Sequence, residues 1–293
     1  MEPGKKIPPT ELILHPDGSI YHLKLKPEQL AKTIILVGDP QRVEKVSKHF
    51  DRIVHKVSNR EIHTHTGYLK NKLLTVMSTG MGTDNIDIVM NELDALANID
   101  LQTRMVKAEH TQLNIVRLGT SGALQSNIPL NSFIVSDYGL GLDGLLNFYQ
   151  ENIPVVDHAL TEEFITFTSW PEVYAKPYIV KSSPWIKGLE GDEFIHGITA
   201  TAPGFYGPQG RLLRLPLRQA DLFEKIKKFE SQNRKIVNFE METSALYGLG
   251  KLLGHNALTV CVAIANRENN DYNQNYKTAI DNLIKLLLNK ITN

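Results

Sequence analysis

Sulfur, net charge and long apolar runs are what this chain has least of. It holds one cysteine, Cys261, in 293 residues. It can therefore close no internal disulfide and supply no CxxC metal site, which excludes secreted disulfide scaffolds and zinc modules. A reducing compartment suits such a chain. Lysine and arginine number 32 and aspartate and glutamate 32, for a formal net charge of 0, so no global field draws the protein to nucleic acid or to an anionic membrane. Any anion must be held by local arginines. The longest aliphatic stretches, such as residues 260–265, fall far short of the roughly 20 residues that span a bilayer. The opening MEPGKKIPPTE lacks the apolar segment of a signal peptide. The expectation is a soluble, cytoplasmic protein with neither nucleic acid nor a membrane among its partners.

What is present is apolar content, 42% of all residues, enough to build the core of one large domain or two modest ones. Short β-branched runs alternate with amphipathic ones. Strands are expected at TIILV (33–37), RIVHKV (52–57), 63–68, KLLTVMST (72–79), NIVRLGT (114–120), SFIVSDY (132–138), GITATA (197–202), IVNFEM (236–241) and ALTVCVAIA (257–265). Helices are expected at 85–97, 218–232, 243–253 and 278–291, the last with Ile280, Leu283, Ile284, Leu287 and Ile291 on one stripe. Another helix should follow the first strand, with Asp39 as its cap and Pro40 in its first turn. ELIL (11–14) and SIYHLKL (19–25) flank Pro16-Asp17-Gly18 and read as a hairpin that puts His22 on a strand. Regular alternation of strand and helix argues for an α/β domain. With no repeat, linker or charge run, residues 1–293 read as one domain, and the Asn-rich 269–276 as a surface loop.

Three junctions carry chemistry. At Gly38-Asp39-Pro40-Gln41-Arg42 a glycine, a helix N-terminus and an arginine meet, which suits a phosphate. An ordinary α/β turn with a solvated arginine is the plainer reading. The stretch does not match GxxxxGK[ST], which disfavours a nucleoside triphosphate. At Arg117-Leu118-Gly119-Thr120-Ser121-Gly122 an arginine sits inside an apolar strand, where a guanidinium needs an anion or a structural ion-pair partner. Both junctions lie at strand C-termini, where open α/β sheets bind ligands. At Phe239-Glu240-Met241-Glu242 two carboxylates could hold sugar hydroxyls and stabilise positive charge at an anomeric carbon, or simply cap the following helix. Two patterns are set aside. GLGLDG (139–144) spells GxGxxG but precedes a poor helix, so a flexible loop is expected there. His63 and His65 share a strand face but have no third ligand.

Taken in order, GDPQRV (38–43), Arg60-Glu61, STGMG (78–82), RLGTSGA (117–123), FYGPQGR (205–211), FEMET (239–243) and IANR (264–267) closely resemble the nucleoside phosphorylase-I family, and more narrowly its uridine phosphorylase branch. The resemblance runs from about His22 to the C-terminal helix. It implies a single α/β domain with a distorted central mixed β-sheet flanked by helices. It implies reversible phosphorolysis of uridine to uracil and α-D-ribose 1-phosphate in pyrimidine salvage. The alternatives are a broad uridine/thymidine enzyme, a purine nucleoside phosphorylase, or a non-catalytic nucleoside-binding relative.

The resemblance also assigns residues. Gly38, Arg42, Arg117 and Thr120 would bind phosphate, with Arg60 reaching in from a neighbouring subunit. Glu242, Met241 and Glu240 would meet the ribose, with the neighbour's His22 at the 5′-hydroxyl. Phe205, Gln209, Arg211, Ile264 and Arg267 would form the base site. Arg117, Glu242 and Arg267 would carry the chemistry. Inorganic phosphate is the co-substrate and no organic cofactor is implied; a monovalent cation such as K⁺ is implied at Glu61, although Asn85 replaces the usual small hydroxyl residue nearby. A homo-oligomer is implied, a dimer or a trimer of dimers forming a homohexamer, with residues 1–30 as an arm at the subunit interface. Residues 97–112 and 157–184 are longer than the family pattern.

Overall fold

Thr33–Val37, the strand β1, shows why both faces of the sheet must be covered. In the computed structural model, which describes residues 5–151 and 153–293, its Ile34 and Leu36 enter one core and its Ile35 and Val37 the other. A strand apolar on both sides is stable only between two layers. The chain continues into α1 (Pro40–Ser47), which buries Val43 and Val46, and then an antiparallel meander of β2 (Arg52–Asn59), β3 (Ile62–Leu69) and β4 (Lys72–Ser78), the last parallel to β1. Next come α2 (Thr83–Asn98) and a small ribbon of β5 (Ile99–Asp100) and β6 (Met105–Val106). Then follow β7 (Asn114–Ala123), β8 (Phe133–Gly141), α3 (His158–Thr168), β9 (Tyr178–Lys181), β10 (Phe194–Thr201) and α4 (Leu222–Lys228). The chain ends with β11 (Glu230–Ser231), β12 (Arg234–Glu240), α5 (Thr243–Leu252), β13 (Asn256–Asn266), β14 (Asp271–Tyr272) and α6 (Lys277–Thr292).

The central sheet runs β11-β12-β10-β8-β13-β7-β1-β4-β3-β2. Five of its nine neighbouring pairs are parallel, while β11–β12, β8–β13, β4–β3 and β3–β2 are antiparallel, so the sheet is mixed. Its distortion has a specific cause. β12 pairs back onto β7, Asn238 with Ala123 and Phe239 with Gly122, so β7, β13, β8, β10 and β12 close into a ring while the other strands fan open. That closure brings the end of β12 to Arg117. Helices α2 and α5 cover one face, α1 and α6 the other, and α3 and α4 a third apolar cluster around Phe164 and Phe229. The predicted α6 stripe is fully buried, each such side chain contributing about 1.5–3 kcal/mol. No helix among the described residues is long and apolar enough to cross a membrane.

Several expectations need correction. The N-terminal hairpin is a single bridge, Leu14 with Ile20. Ile20, Leu23 and Leu25 all bury, so the chain curls between them, and His22 sits on a turn. The helix expected at 218–232 is only Leu222–Lys228, because Gln232 and Asn233 both take positive φ (50° and 63°) and turn a hairpin between β11 and β12. Gly139 and Gly141 finish β8 and are not a flexible loop: a Cβ at Gly139 would lie 2.9 Å from Ser244 Cα, and one at Gly141 would overlap the Tyr178 ring. Residues 157–184, to which no element was assigned, hold α3 and β9, and the 269–276 loop carries β14.

Candidate active site

Parallel register places the phosphate-site candidates side by side. Val37 of β1 lies opposite Leu118 of β7, so Gly38 leaves β1 beside Gly119 and Thr120, which stay in β7 paired to β13. Asp39 accepts the Gln41 N–H at 2.9 Å and starts α1, which turns Arg42 inward. Arg42 is buried and donates to the Leu118 carbonyl at 3.2 Å. Burial, and then repulsion from Arg117, hold its guanidinium below its ordinary pKa. A buried guanidinium held by a backbone carbonyl suits an added anion.

Arg117 is 5% exposed. Its Nη2 pairs with Glu242, its Nη1 lies 3.3 Å from Glu240 and 3.5 Å from Cys261 Sγ, and its Nε has no protein partner. Burial alone would depress its pKa; Glu242 and Glu240 outweigh that and hold it above its ordinary value. Arg117 thus has the structural ion pair that a buried arginine needs, and one donor left over. Burial pushes the Glu242 carboxyl up, and Glu240 adds to the rise against the pull of Arg117. Cys261, beneath the guanidinium, is buried and pushed up to about 12, too high to react as a thiolate at neutral pH.

The two glutamates differ in what they touch. Glu240 Oε1 accepts from Thr201 Oγ1 at 2.7 Å, and its carboxylate takes the backbone N–H groups of Glu242 and Thr243 at 2.9–3.1 Å. It caps α5, as the plainer reading of that motif expects. Glu242, at the head of α5, reaches Arg117 and accepts the Gly82 N–H at 2.8 Å. Met241 between them is half-buried. Gly82 closes the STGMG motif, which assigned it no role; its φ of 97° is the reason the position is glycine.

The base-site candidates form one layer. The 3-10 turn Gly207–Gln209 buries Gln209, whose side-chain carbonyl accepts from Arg211 Nη1. The Arg211 guanidinium stacks 3.8 Å over Phe205, which is 50% exposed. Arg267 donates to the Gln209 main-chain carbonyl and lies 3.9 Å over Phe223, a residue the sequence did not flag. Burial, then repulsion from Arg211, push Arg267 down to about 10. Ile264 is half-buried on β13. Asn266 points into the protein, donating to the Gln125 and Ile128 carbonyls at 2.9 and 2.8 Å. A cavity of about 830 Å³ opens beside this layer, walled by Tyr206, Arg211, Phe223 and Trp170; it lies next to the base residues and does not include Arg42 or Arg117.

His22 and Arg60 are not joined to Arg42 or Arg117 within the chain. They lie near one another: Tyr21 packs on His22 at 4.8 Å, Arg60 lies 5.7 Å over Tyr21, and Asn59 donates to the His22 carbonyl at 2.9 Å. Glu92 of α2 fixes His22, accepting its Nδ1 at 2.6 Å and its N–H at 3.0 Å. Glu61 is exposed, and its chain, like Asn85, packs over Gly80. One group of three metal-capable residues occurs among the described residues, Asp94, His110 and His255. His255 Nδ1 accepts the Leu113 N–H, so the ring proton sits on Nε2, facing Asp94 at 3.2 Å. That tautomer suits a structural pair better than a metal ligand.

The model of the phosphorylase superfamily matches residues 32–292. The chain belongs to the phosphorylase superfamily. Among solved superfamily structures, a Trypanosoma brucei nucleoside phosphorylase that shows uridine phosphorylase activity superposes with a TM-score of 0.83 at 30% identity, covering 96% of this chain and 100% of that one. A uridine phosphorylase of Thermococcus kodakarensis is 28% identical over 259 residues, 87% of this chain and 80% of the relative. A DeoD-type purine nucleoside phosphorylase of Buchnera aphidicola is 24% identical over 276 residues, 93% and 99% of the two chains.

Proposed function

We propose that this chain is a uridine phosphorylase, a pentosyltransferase that converts uridine and phosphate to uracil and α-D-ribose 1-phosphate. The observation that carries the reading is the base layer. A glutamine amide beside two arginines offers one acceptor and several donors, the complement of a uracil edge with its N3–H and two carbonyls. The purine alternative needs an acid to protonate the purine ring, and this loop offers Asn266, whose amide is engaged inside the protein, and Arg267. The solved trypanosomal relative and the Thermococcus relative support the same choice.

The chemistry follows from the charges. Arg42, Arg117, Thr120 and the backbone at Gly38 hold phosphate below the ribose. Glu242 takes the sugar hydroxyls, Met241 packs under the ring, and the negative Glu242 favours positive charge at C1′. The C1′–N1 bond breaks with its electron pair moving to uracil, where Gln209, Arg211 and Arg267 meet it. A phosphate oxygen then closes the new C1′–O bond. The non-catalytic reading leaves Arg42 and the spare Arg117 donor without a use.

His22 and Arg60 act across a two-fold interface, each protomer completing its partner's site in a dimer or trimer of dimers, with the N-terminal arm at the contact. No organic cofactor takes part. The exposed Glu61 carboxylate, paired with its copy across the interface, suits a monovalent cation such as K⁺. Uracil release from uridine, measured as phosphate is varied, tests the function: strict phosphate dependence supports it. Release without phosphate, tight uridine binding without release, or preferential cleavage of inosine would overturn it.

A further inference from the structure

The GLGLDG segment, unused by the phosphate and base sites, has a second role in the fold. Gly139 lies against Ser244, and Leu146, just past the segment, fills the space a Cβ on Gly248 would need. The segment is a cradle for the first half of α5. Asp143 comes off its end with both oxygens engaged. Tyr178 OH donates to them at 2.8 and 3.0 Å, Ser244 Oγ donates at 2.9 Å, and the Leu145 N–H donates at 2.8 Å. Those donors are formally neutral, and burial raises the Asp143 carboxyl above its ordinary pKa.

Ser244 is the link to the chemistry, because it stands two residues after Glu242 in the first turn of α5. Its N–H donates to Thr201 Oγ1 at 2.9 Å, and Thr201 donates to Glu240, the residue that also holds the Glu242 and Thr243 N–H groups. The turn that carries Glu242 is therefore gripped from two sides, by Glu240 through backbone and by Asp143 through the Ser244 hydroxyl. Arg42 and Gly38 lie outside this grip, on α1 and just after β1, and Arg117 of β7 meets it through its guanidinium, at Glu240 and Glu242.

We propose that Asp143 is a positioning residue for the ribose site: by holding Ser244 it sets where the Glu242 carboxylate stands. The inference rests on the reading of Glu242 as the carboxylate that accepts the sugar hydroxyls. Displacing such a group by about 1 Å can cost about 100-fold in rate, and the loss should fall on the sugar, not on phosphate.

The test compares Asp143→Ala, Asp143→Asn and the wild-type chain, each checked for native circular dichroism. kcat/KM is measured for uridine and for 2′,3′-dideoxyuridine, and phosphate affinity by calorimetry. Expected for Asp143→Ala is a loss of roughly 10- to 100-fold on uridine, a smaller loss on the dideoxy substrate, which offers Glu242 no hydroxyl, and phosphate affinity within about twofold of wild type. Asp143→Asn, which keeps an acceptor for Ser244, should recover most of the uridine rate. Equal losses on both nucleosides, a parallel loss of phosphate affinity, or no recovery in Asp143→Asn would overturn the proposal. If Asp143→Ala does not fold, the Asn variant and Ser244→Ala decide by the same substrate ratio. A wild-type chain that fails to cleave uridine would overturn the functional reading itself, a result separable from these ratios.

Discussion

Arg117 of β7 and Glu242 at the head of α5 form a buried ion pair that joins the candidate phosphate site to the candidate ribose site. One guanidinium faces two carboxylates, and its Nε has no protein partner.

Removing Arg117 should therefore cost stability as well as activity. Arg117→Ala leaves Glu240 and Glu242 buried without their cation, and about 3–5 kcal/mol of folding stability should be lost in urea denaturation. Glu242→Gln leaves the Glu240 contact in place and should cost less stability while still crippling turnover of uridine. Equal stability of Arg117→Ala and wild type would show that the carboxylates find other partners.

Gly119→Ala separates function from folding. Its Cβ would overlap Arg117 Nη1 and lie 2.8 Å from Cys261 Sγ. The guanidinium is the end of a flexible chain, so it moves and the fold survives, with at most about 1–3 kcal/mol of overpacking. The KM for phosphate should rise by roughly tenfold or more as the guanidinium leaves its place. Unchanged phosphate kinetics would remove Arg117 from the anion site.

Arg267 should set an alkaline limit on activity. Its pKa is pushed down to about 10 by burial and by Arg211, so the charge proposed to meet the leaving uracil is lost as pH rises through that value, and kcat should fall. Arg211→Met removes the repulsion and should move this limb to higher pH, although the variant binds uridine less well. A limb that stays in place in pH–rate profiles would assign it to another group.

Subunit mixing tests the shared site. Arg60→Ala and Arg117→Ala should each be inactive as pure oligomers. Unfolded together and refolded as a mixture, they form dimers in which one site has both arginines intact, and part of the activity should return. No recovery, with mixed oligomers demonstrated, would place Arg60 outside the neighbour's site.

Acid stability should depend on His65. Its ring meets Ser47 Oγ at 2.7 Å, and burial, then Lys56, lower its pKa from the ordinary 6.5. The unfolded chain then binds more protons than the folded one just below pH 6.5, so stability falls as pH drops through that window towards the lower folded value. His65→Gln should flatten this part of the stability profile measured by denaturant unfolding at stepped pH. An unchanged slope would point to His49, which burial also lowers.

Much of the candidate site was legible because its residues break the local pattern. An arginine inside an apolar strand, glycines at strand ends and a glutamine-arginine pair in a loop rich in glycine and proline are costly or unusual as plain structure. Glu240 and Glu242 were not separable that way. Both are acids near a helix start and both face Arg117, and only the partners Thr201 and Gly82 divide the helix cap from the carboxylate proposed to meet the sugar. Phe223 carried no signal, because a phenylalanine in an amphipathic helix looks like core until Arg267 is seen stacked on it. His22 was placed on a strand because alternation over residues 19–25 mimics one; three buried side chains curl the segment instead.

The sequence alone determined the α/β class, most strand positions, the α6 stripe and the residue types that can hold an anion, since these follow from periodicity and from the cost of burying charge. Only the tertiary structure decided which of them meet. β12 must close onto β7 before Glu240 and Glu242 can reach Arg117, and that pairing joins residues more than a hundred positions apart, beyond the reach of any local pattern.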